Sequence, residues 1–391
     1  MISVEEALGH IFALISPVDT ETVPLREAAG RVLREDIVAR RDQPPFAASV
    51  MDGYAVRHAD VAPGATLTVI GEAAAGHAFP GTLSDGQAVR IFTGAPIPDG
   101  ADRVVIQEDV SRAGDKITLG QTLDSSRYIR DLGTDFKVGT RLPAGRRLTP
   151  AQIALAASMN VPTLTVARRP IVALIATGDE LVMPGETPGP DQIIASNSFG
   201  LAALLEAEGA EVRLLPIARD TKDSLRAIFE LAQGADLVVT IGGASVGDHD
   251  LVGQVVEDFG MDRSFYKVAM RPGKPLMAGK LGTAAMVGLP GNPVSSMVCG
   301  HIFLRPALRA LQGLPAAALP RTTATLAAPL DENGPREHYM RAHRDADGRV
   351  TAEDRQDSSL MTVLAAAECL IVRAPRDPAR SEGERVEIVP L

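Results

Sequence analysis

Apolar positions along this chain follow two rhythms, and where each prevails decides the expected architecture. From residue 171 onward, short aliphatic and β-branched runs (171–176, 211–217, 237–241) alternate with helical-period stretches. These are 198–208, closed by Gly209, and 221–233, capped by Thr221 and followed by Gly234. The runs are too short for helices and apolar throughout, as strands buried on both faces are. Strand, helix, strand, helix, strand at this spacing predicts right-handed βαβ units and a parallel sheet. In such sheets ligands collect beyond the carboxyl ends of the strands.

Upstream, Ser3 and Glu6 form a capping-box pattern before a periodic stretch, which predicts a helix from Val4 to about Ile15, ending before Pro17. Residues 23–38 read as a second, mixed helical segment. Between 66 and 119, short runs (67–70, 88–92, 103–110, 116–119) separated by Gly and Pro indicate a small β domain. Thr149-Pro150-Ala151-Gln152 supplies an N-cap, a first-turn proline and a reciprocal cap, so helix resumes to about Met159. That return makes 1–44 and 139–169 one discontinuous helical N-terminal domain, interrupted by an inserted β domain at 45–138. The α/β domain covers 170–318. After Arg305-Pro306 and an Ala/Pro-rich linker, runs at 322–326, 338–343, 349–352, 369–373 and 386–389 predict a C-terminal β domain over 319–391. The expected fold class is α/β and multidomain, built round a doubly wound, mostly parallel sheet.

Composition narrows the chemistry. With 39 basic and 49 acidic residues and a net charge of -10, broad attraction to nucleic acid or an anionic membrane is not expected, and an anionic ligand needs a local basic pocket. The absence of Trp and the 4% aromatic content argue against stacking platforms for single strands. Two cysteines, Cys299 and Cys369, exclude a disulfide framework and a cysteine-rich metal site. The chain begins without the basic-then-apolar order of a signal peptide, and no apolar run reaches the roughly 18 to 20 residues of a membrane span. A soluble, cytoplasmic protein is expected.

The polar turns carry the candidate chemistry. The run 237–241 breaks into Gly242-Gly243-Ala244-Ser245-Val246-Gly247-Asp248-His249-Asp250, where turn N–H groups could hold an anion and the acids a hard cation. Taken alone, it serves equally well as a tight connection with solvated acids. Thr177-Gly178-Asp179-Glu180 and Asp220 follow two other strands, so three strand ends bring Asp179/Glu180, Asp220 and Asp248/Asp250 to one edge. Such a cluster is costly unless a cation such as Mg²⁺ joins it. Lys267, Arg271 and Lys274, around a Pro-Gly-Lys-Pro turn, suit an oxyanion. Pro290-Gly291-Asn292-Pro293-Val294-Ser295 opens a helix whose N-terminus offers a second anion cradle; the alternative is an ordinary proline-initiated helix. Asp52-Gly53 is a turn signal that puts Asp52 on a tip, and Thr93 follows a strand at the rim of the β domain.

Together these stretches resemble the molybdopterin molybdenumtransferase (molybdenum insertase) family, which includes the MoeA proteins and the E domain of gephyrin. The carriers are Ser49-Val-Met-Asp52-Gly-Tyr-Ala, Phe92-Thr93-Gly-Ala-Pro, Thr177-Gly-Asp-Glu180-Leu, Ile241-Gly-Gly-Ala-Ser-Val-Gly-Asp248-His-Asp250, Arg271-Pro-Gly-Lys274-Pro and Leu289-Pro-Gly-Asn292-Pro-Val-Ser. They fall in the family's order over nearly the whole chain. The resemblance implies a four-domain subunit with a molybdopterin-binding α/β domain, and a homodimer whose site lies between that domain and the partner's inserted β domain. It implies Mg²⁺-dependent hydrolysis of adenylylated molybdopterin and insertion of molybdenum from molybdate. An upstream molybdopterin adenylyltransferase and recipient molybdoenzymes would be partners. By matched position, Asp52, Thr93, Asp135, Glu180, Asp220 and Asp250 would carry activity, with Glu180, Asp220 and Asp250 on the metal. Ser245, Asp248, Lys267, Arg271, Lys274, Pro290, Asn292, Pro293, Ser295, Arg341 and Ser358 would contact substrate. Val50 and Arg271 depart from the family's usual Ala and Lys; arginine keeps the charge and adds bidentate reach. The rival readings are a related adenylyltransferase, which would consume ATP, and a non-catalytic scaffold, which would have no reason to keep three acidic strand ends.

Overall fold

A computed structural model covers the 391-residue chain, and structure is described for residues 1–243 and 251–391. At its centre lies a six-stranded sheet in the spatial order Glu211–Leu214, Ile171–Ala176, Leu237–Ile241, Ala284–Leu289, Met277–Leu281, Asp262–Tyr266. The first four strands are parallel, and Met277–Leu281 is antiparallel to both its neighbours, so Asp262–Tyr266 runs in the direction of the first four. Side chains alternate between two cores, as a pleated strand requires. Val172 and Leu174 join Leu201 and Leu205 of the Asn197–Ala207 helix on one face. Ala173 and Ile175 meet Leu225 and Phe229 of Lys222–Leu231, and Val252 and Val255 of Leu251–Asp258, on the other. Each large aliphatic side chain fully buried this way contributes about 1.5–3 kcal/mol. The two-sided coverage is what the continuous apolar runs predicted.

The capping box at the chain start is present: Ser3 N–H donates to Glu6 Oε2 at 2.7 Å and Glu6 N–H to Ser3 Oγ at 3.1 Å. The helix Val4–Leu14 buries Val4, Ala7, Leu8 and Ile11. This stripe packs into the core of the α/β domain, not into the discontinuous unit where the sequence reading put it. Lys280 Nζ closes the helix by donating to Leu14 O at 2.8 Å.

Residues 23–38 are not helical. They form strands Thr20–Pro24, Val32–Leu33 and Ile37–Val38, with a 3₁₀ turn at Leu25–Glu27. Thr20–Pro24 pairs antiparallel with Thr163–Ala167, and Val32–Leu33 lies between that strand and Arg146–Arg147. Pro24 interrupts any helix, and partners more than a hundred residues away decide the conformation. The two chain segments therefore meet in a four-stranded sheet with one helix, Pro150–Ser158, whose Thr149/Gln152 capping box forms.

The inserted segment builds a six-stranded sheet, including Gly53–Val56 between Arg103–Ile106 and Gln87–Ile91. In the C-terminal sheet, Glu337–Arg344 pairs with Cys369–Arg373 and with Met270–Arg271, a strand lent by the α/β domain. Tyr339, Leu370, Val372 and Val389 share the core of the α/β domain, so the two domains are packed together. No helix among the described residues is long and apolar enough to cross a membrane.

Candidate functional site at the strand ends

A cavity of about 840 Å³ opens at the carboxyl ends of the parallel strands. Its walls are the turns that follow them. Thr177, Gly178 and Glu180 come after Ile171–Ala176, Asp220 after Glu211–Leu214, Gly242 and Gly243 after Leu237–Ile241, and Pro290, Asn292 and Pro293 after Ala284–Leu289. Lys267 and Lys274 reach it from the segment beyond Asp262–Tyr266. Carboxylates and ammonium groups expected from separate stretches thus share one space. Ser245, Asp248 and Asp250 lie outside the described residues; Gly243 and Leu251, which flank that segment, line the cavity.

The two acidic turns are strapped together. Gly178 N–H donates to Ala218 O at 3.0 Å, and Asp220 N–H to Asp179 Oδ1 at 3.1 Å. Arg219 serves three carbonyls, Gly178 O at 3.3 Å, Asp179 O at 3.1 Å and Leu181 O at 3.0 Å. Those turn oxygens would otherwise lack partners. The Glu180 carboxylate folds over Gly178, where a Cβ would stand 2.2 Å from Oε2, at a φ of +144°. A side chain there would push the carboxylate aside and would strain the backbone at this φ. The turn carrying Lys274 depends on Gly273 in the same way: at φ +108° it passes Cys299, whose Sγ a Cβ would approach to 2.6 Å.

Several expected ligands sit elsewhere. Arg271 is exposed but is not among the cavity's lining residues; its strand pairs with the C-terminal sheet, opposite His338. Arg341, expected to meet the oxyanion, is 1% exposed. Its donors go to Gln356 Oε1 at 3.0 Å and Asp357 O at 2.8 Å, so it fastens the loop that carries Ser358. Ser358 in turn caps the helix Pro293–Cys299: its carbonyl accepts from Val294 N–H at 3.0 Å and its hydroxyl from Asn292 Nδ2 at 3.1 Å. The Ser296 hydroxyl is spent on Pro293 O at 2.9 Å, and Ser295 is buried off the cavity. The second anion cradle expected at this helix start is therefore largely satisfied from within the protein.

Asp52, Thr93 and Asp135 are on the N-terminal half and do not line this cavity. Asp52 Oδ1 accepts from both the Thr93 N–H and the Thr93 hydroxyl, each at 2.8 Å. The backbone bond, then the hydroxyl, then the nearby Arg90 guanidinium hold the Asp52 carboxyl below the usual carboxylate range. Arg90 is itself stacked over Tyr54 and Phe92, with its carbon 5.1 Å and 4.7 Å from the ring centres. Asp135 is exposed, its N–H bonded to Gln43 O at 2.9 Å.

Sequence reasoning missed Arg219, Asn197 and Ser198. Asn197 Nδ2 ties the start of its helix to Gly291 O at 2.7 Å across the cavity wall. The Ser196-Asn197-Ser198 run before a periodic stretch was the available signal, since such residues gather at helix starts. Arg219 was overshadowed by the acid beside it.

A molybdopterin molybdenumtransferase of Haemophilus influenzae is 36% identical to this chain over 400 residues, covering 100% of this chain and 99% of its own. The chain belongs to the molybdopterin molybdenumtransferase family. A second family enzyme, from Nostoc, is 39% identical over 80% of this chain and 75% of its own. Residues 2–160 match the MoeA N-terminal region (domain I and II), 173–310 the probable molybdopterin binding domain, and 323–391 the MoeA C-terminal region (domain IV). Two crystal structures of the molybdopterin biosynthesis MoeA protein of Pyrococcus horikoshii cover the whole chain. One has a TM-score of 0.84 at 30% identity over 99% of its own length, the other 0.86 at 28% over 100%. The cavity falls largely within the part that matches the family's molybdopterin binding domain.

Proposed function

We propose that this family member inserts molybdenum from molybdate into adenylylated molybdopterin, with Mg²⁺-dependent hydrolysis of the adenylate and release of AMP and molybdenum cofactor. One observation carries the reading: two carboxylates, Glu180 and Asp220, and two ammonium groups, Lys267 and Lys274, line the same cavity. A hard cation such as Mg²⁺ usually takes one or two carboxylates and completes its shell with phosphate oxygens and water. Among the described residues no group of three or more His, Cys, Asp or Glu is gathered as a metal site. Glu180 and Asp220 in one cavity fit a cation held jointly with a phosphorylated ligand. Glu180 and Asp220 would hold it, with Asp250 as the third candidate. When bound, it would neutralise charge on the diphosphate as the bridging bond breaks.

The chain's own residues divide the remaining work. Lys267 and Lys274 attract the molybdate dianion, because a tetrahedral oxyanion is held against water only by convergent donors. Asn292 and the two prolines beside it shape the wall. Hydrolysis adds water across the P–O–P link, so the oxygen of water bonds to phosphorus as AMP or the pterin phosphate departs. Asp52, ionised, half-buried and outside the cavity of its own chain, serves the partner's cavity in a homodimer, with Thr93 holding it and Asp135 as a further candidate. The reaction is placed in the cytoplasm, after a molybdopterin adenylyltransferase and before the recipient molybdoenzymes.

The test is to mix the protein with adenylylated molybdopterin, molybdate and Mg²⁺. AMP release in step with metal insertion is expected. A requirement for ATP to adenylylate molybdopterin would favour the adenylyltransferase reading, and binding without molybdate-dependent turnover would favour a scaffold.

A further inference from the structure

We infer that the N-terminus of the Asn197–Ala207 helix, completed by the Ser198 hydroxyl, is a phosphate subsite of the cavity, separate from the lysine pair. The inference rests on the proposed reading of the cavity and deepens it. Ser196, at the cap position, has helical backbone angles and accepts no N–H with its side chain. Its hydroxyl is turned to Asn197 Oδ1 at 3.3 Å. The N–H groups of Asn197, Ser198 and Phe199 consequently have no acceptor among the described residues. Helix starts left in this state attract anions, through both the free donors and the helix dipole.

A second observation points to a ligand. Ser198 is 3% exposed, on the inward stripe with Leu201 and Leu205, and it lines the cavity. Its hydroxyl has no hydrogen-bond partner among the described residues and is not sealed from solvent, so it opens onto the cavity that Ser198 lines. A phosphate oxygen in the cavity would supply the partner. Asn197 Nδ2 on Gly291 O anchors this helix start against the turn after the fourth parallel strand. The neighbouring Pro293–Cys299 helix cannot take the same part, since Ser358 already covers Val294 N–H.

The two anion-binding features come from different parts of the sheet. The Asn197 helix follows the strand Ile171–Ala176, whereas Lys267 and Lys274 follow Asp262–Tyr266, four places along in the strand order. A neutral cradle of N–H and hydroxyl donors takes the phosphoryl group of the ligand, and the lysines take the second, inorganic oxyanion. The two anions need not compete for one set of donors.

Inorganic pyrophosphate and molybdate, titrated separately into the full-length protein, distinguish the two places. Ser198→Ala should weaken pyrophosphate binding roughly tenfold, the scale of a hydrogen bond to a charged group, and leave molybdate affinity and the melting temperature unchanged. In the wild-type protein, pyrophosphate should slow amide exchange in the peptide spanning 196–200. Unchanged pyrophosphate affinity in the variant, equal weakening of both anions, or no protection of 196–200 would each overturn the subsite. If pyrophosphate binds as expected but no molybdenum is inserted, the proposed reaction fails while the subsite stands. Insertion with pyrophosphate affinity insensitive to Ser198 would be the reverse.

Discussion

The cavity of the α/β domain and the Asp52 corner of the inserted domain are both acidic, yet they are held in opposite ways. Around the cavity, acids from two turns are bound together through backbone and Arg219, and the carboxylate of Glu180 lies over a glycine that makes room for it. At the corner, a single carboxylate receives two bonds from one residue, Thr93, and stands away from the cavity of its own chain. The first is an open-mouthed cavity that gathers charges of both signs; the second is one preoriented group held by a single neighbour. On the proposed reading, the corner has something to act on only when a second chain brings a cavity to it.

Substitutions can break this contrast at either end. The largest effect is expected from Glu180→Ala, which should lower AMP release by roughly 10²–10³, the scale of removing a preorganised electrostatic group. Because Glu180 is exposed, the melting temperature should barely move; a large drop in stability would recast it as structural. Asp52→Asn keeps the shape of the corner and removes its charge, and a loss of about 10²-fold in turnover is expected. Wild-type turnover would reduce Asp52 to a turn former. Gly178→Ala should cost roughly tenfold in turnover, because the new Cβ displaces the Glu180 carboxylate and the φ of +144° strains a side-chain-bearing residue. Thr93→Val removes one of the two bonds to Asp52 and should have the smallest effect on rate, a few-fold, with the acid limb of the pH profile moving upward as Asp52 loses a donor.

Stability responds to pH through two histidines that belong to neither site. Burial, reinforced by Arg271 and Arg341, brings His338 down from 6.5 to about 4, and burial with Arg305 does the same for His301. Between about 6.5 and about 4 the unfolded chain binds protons that the folded chain refuses. The stabilisation is therefore complete above 6.5 and drains away as pH falls, on the order of 3 kcal/mol for each histidine. His338→Gln should flatten the dependence of melting temperature on pH across this window. An unchanged slope would mean that the imidazole titrates normally.

The same contrast explains what could be read from the sequence. The α/β strands Ile171–Ala176 and Leu237–Ile241 were legible because burial on both faces writes an unbroken apolar run into adjacent residues. Their turns then had to lie at one edge, which is why Glu180, Asp220, Lys267 and Lys274 could be grouped in advance. Residues 23–38 were misread as helix because Val32–Leu33 is a strand only through partners at 146–147 and 166, and two-residue strands carry no period. The setting of Arg341 was not legible for a related reason. Its charge is evident from its letter, but its enclosure by Gln356 and Asp357 is a property of the folded loop.

Coexpression of Asp52→Asn and Glu180→Ala chains carrying different tags allows the mixed dimer to be purified and its AMP release measured. If each working site joins Glu180 of one chain to Asp52 of the other, the mixed dimer keeps one intact site and should show about half of wild-type activity, although either variant alone is nearly inactive. Activity no greater than that of the parent variants would contradict a site shared between subunits.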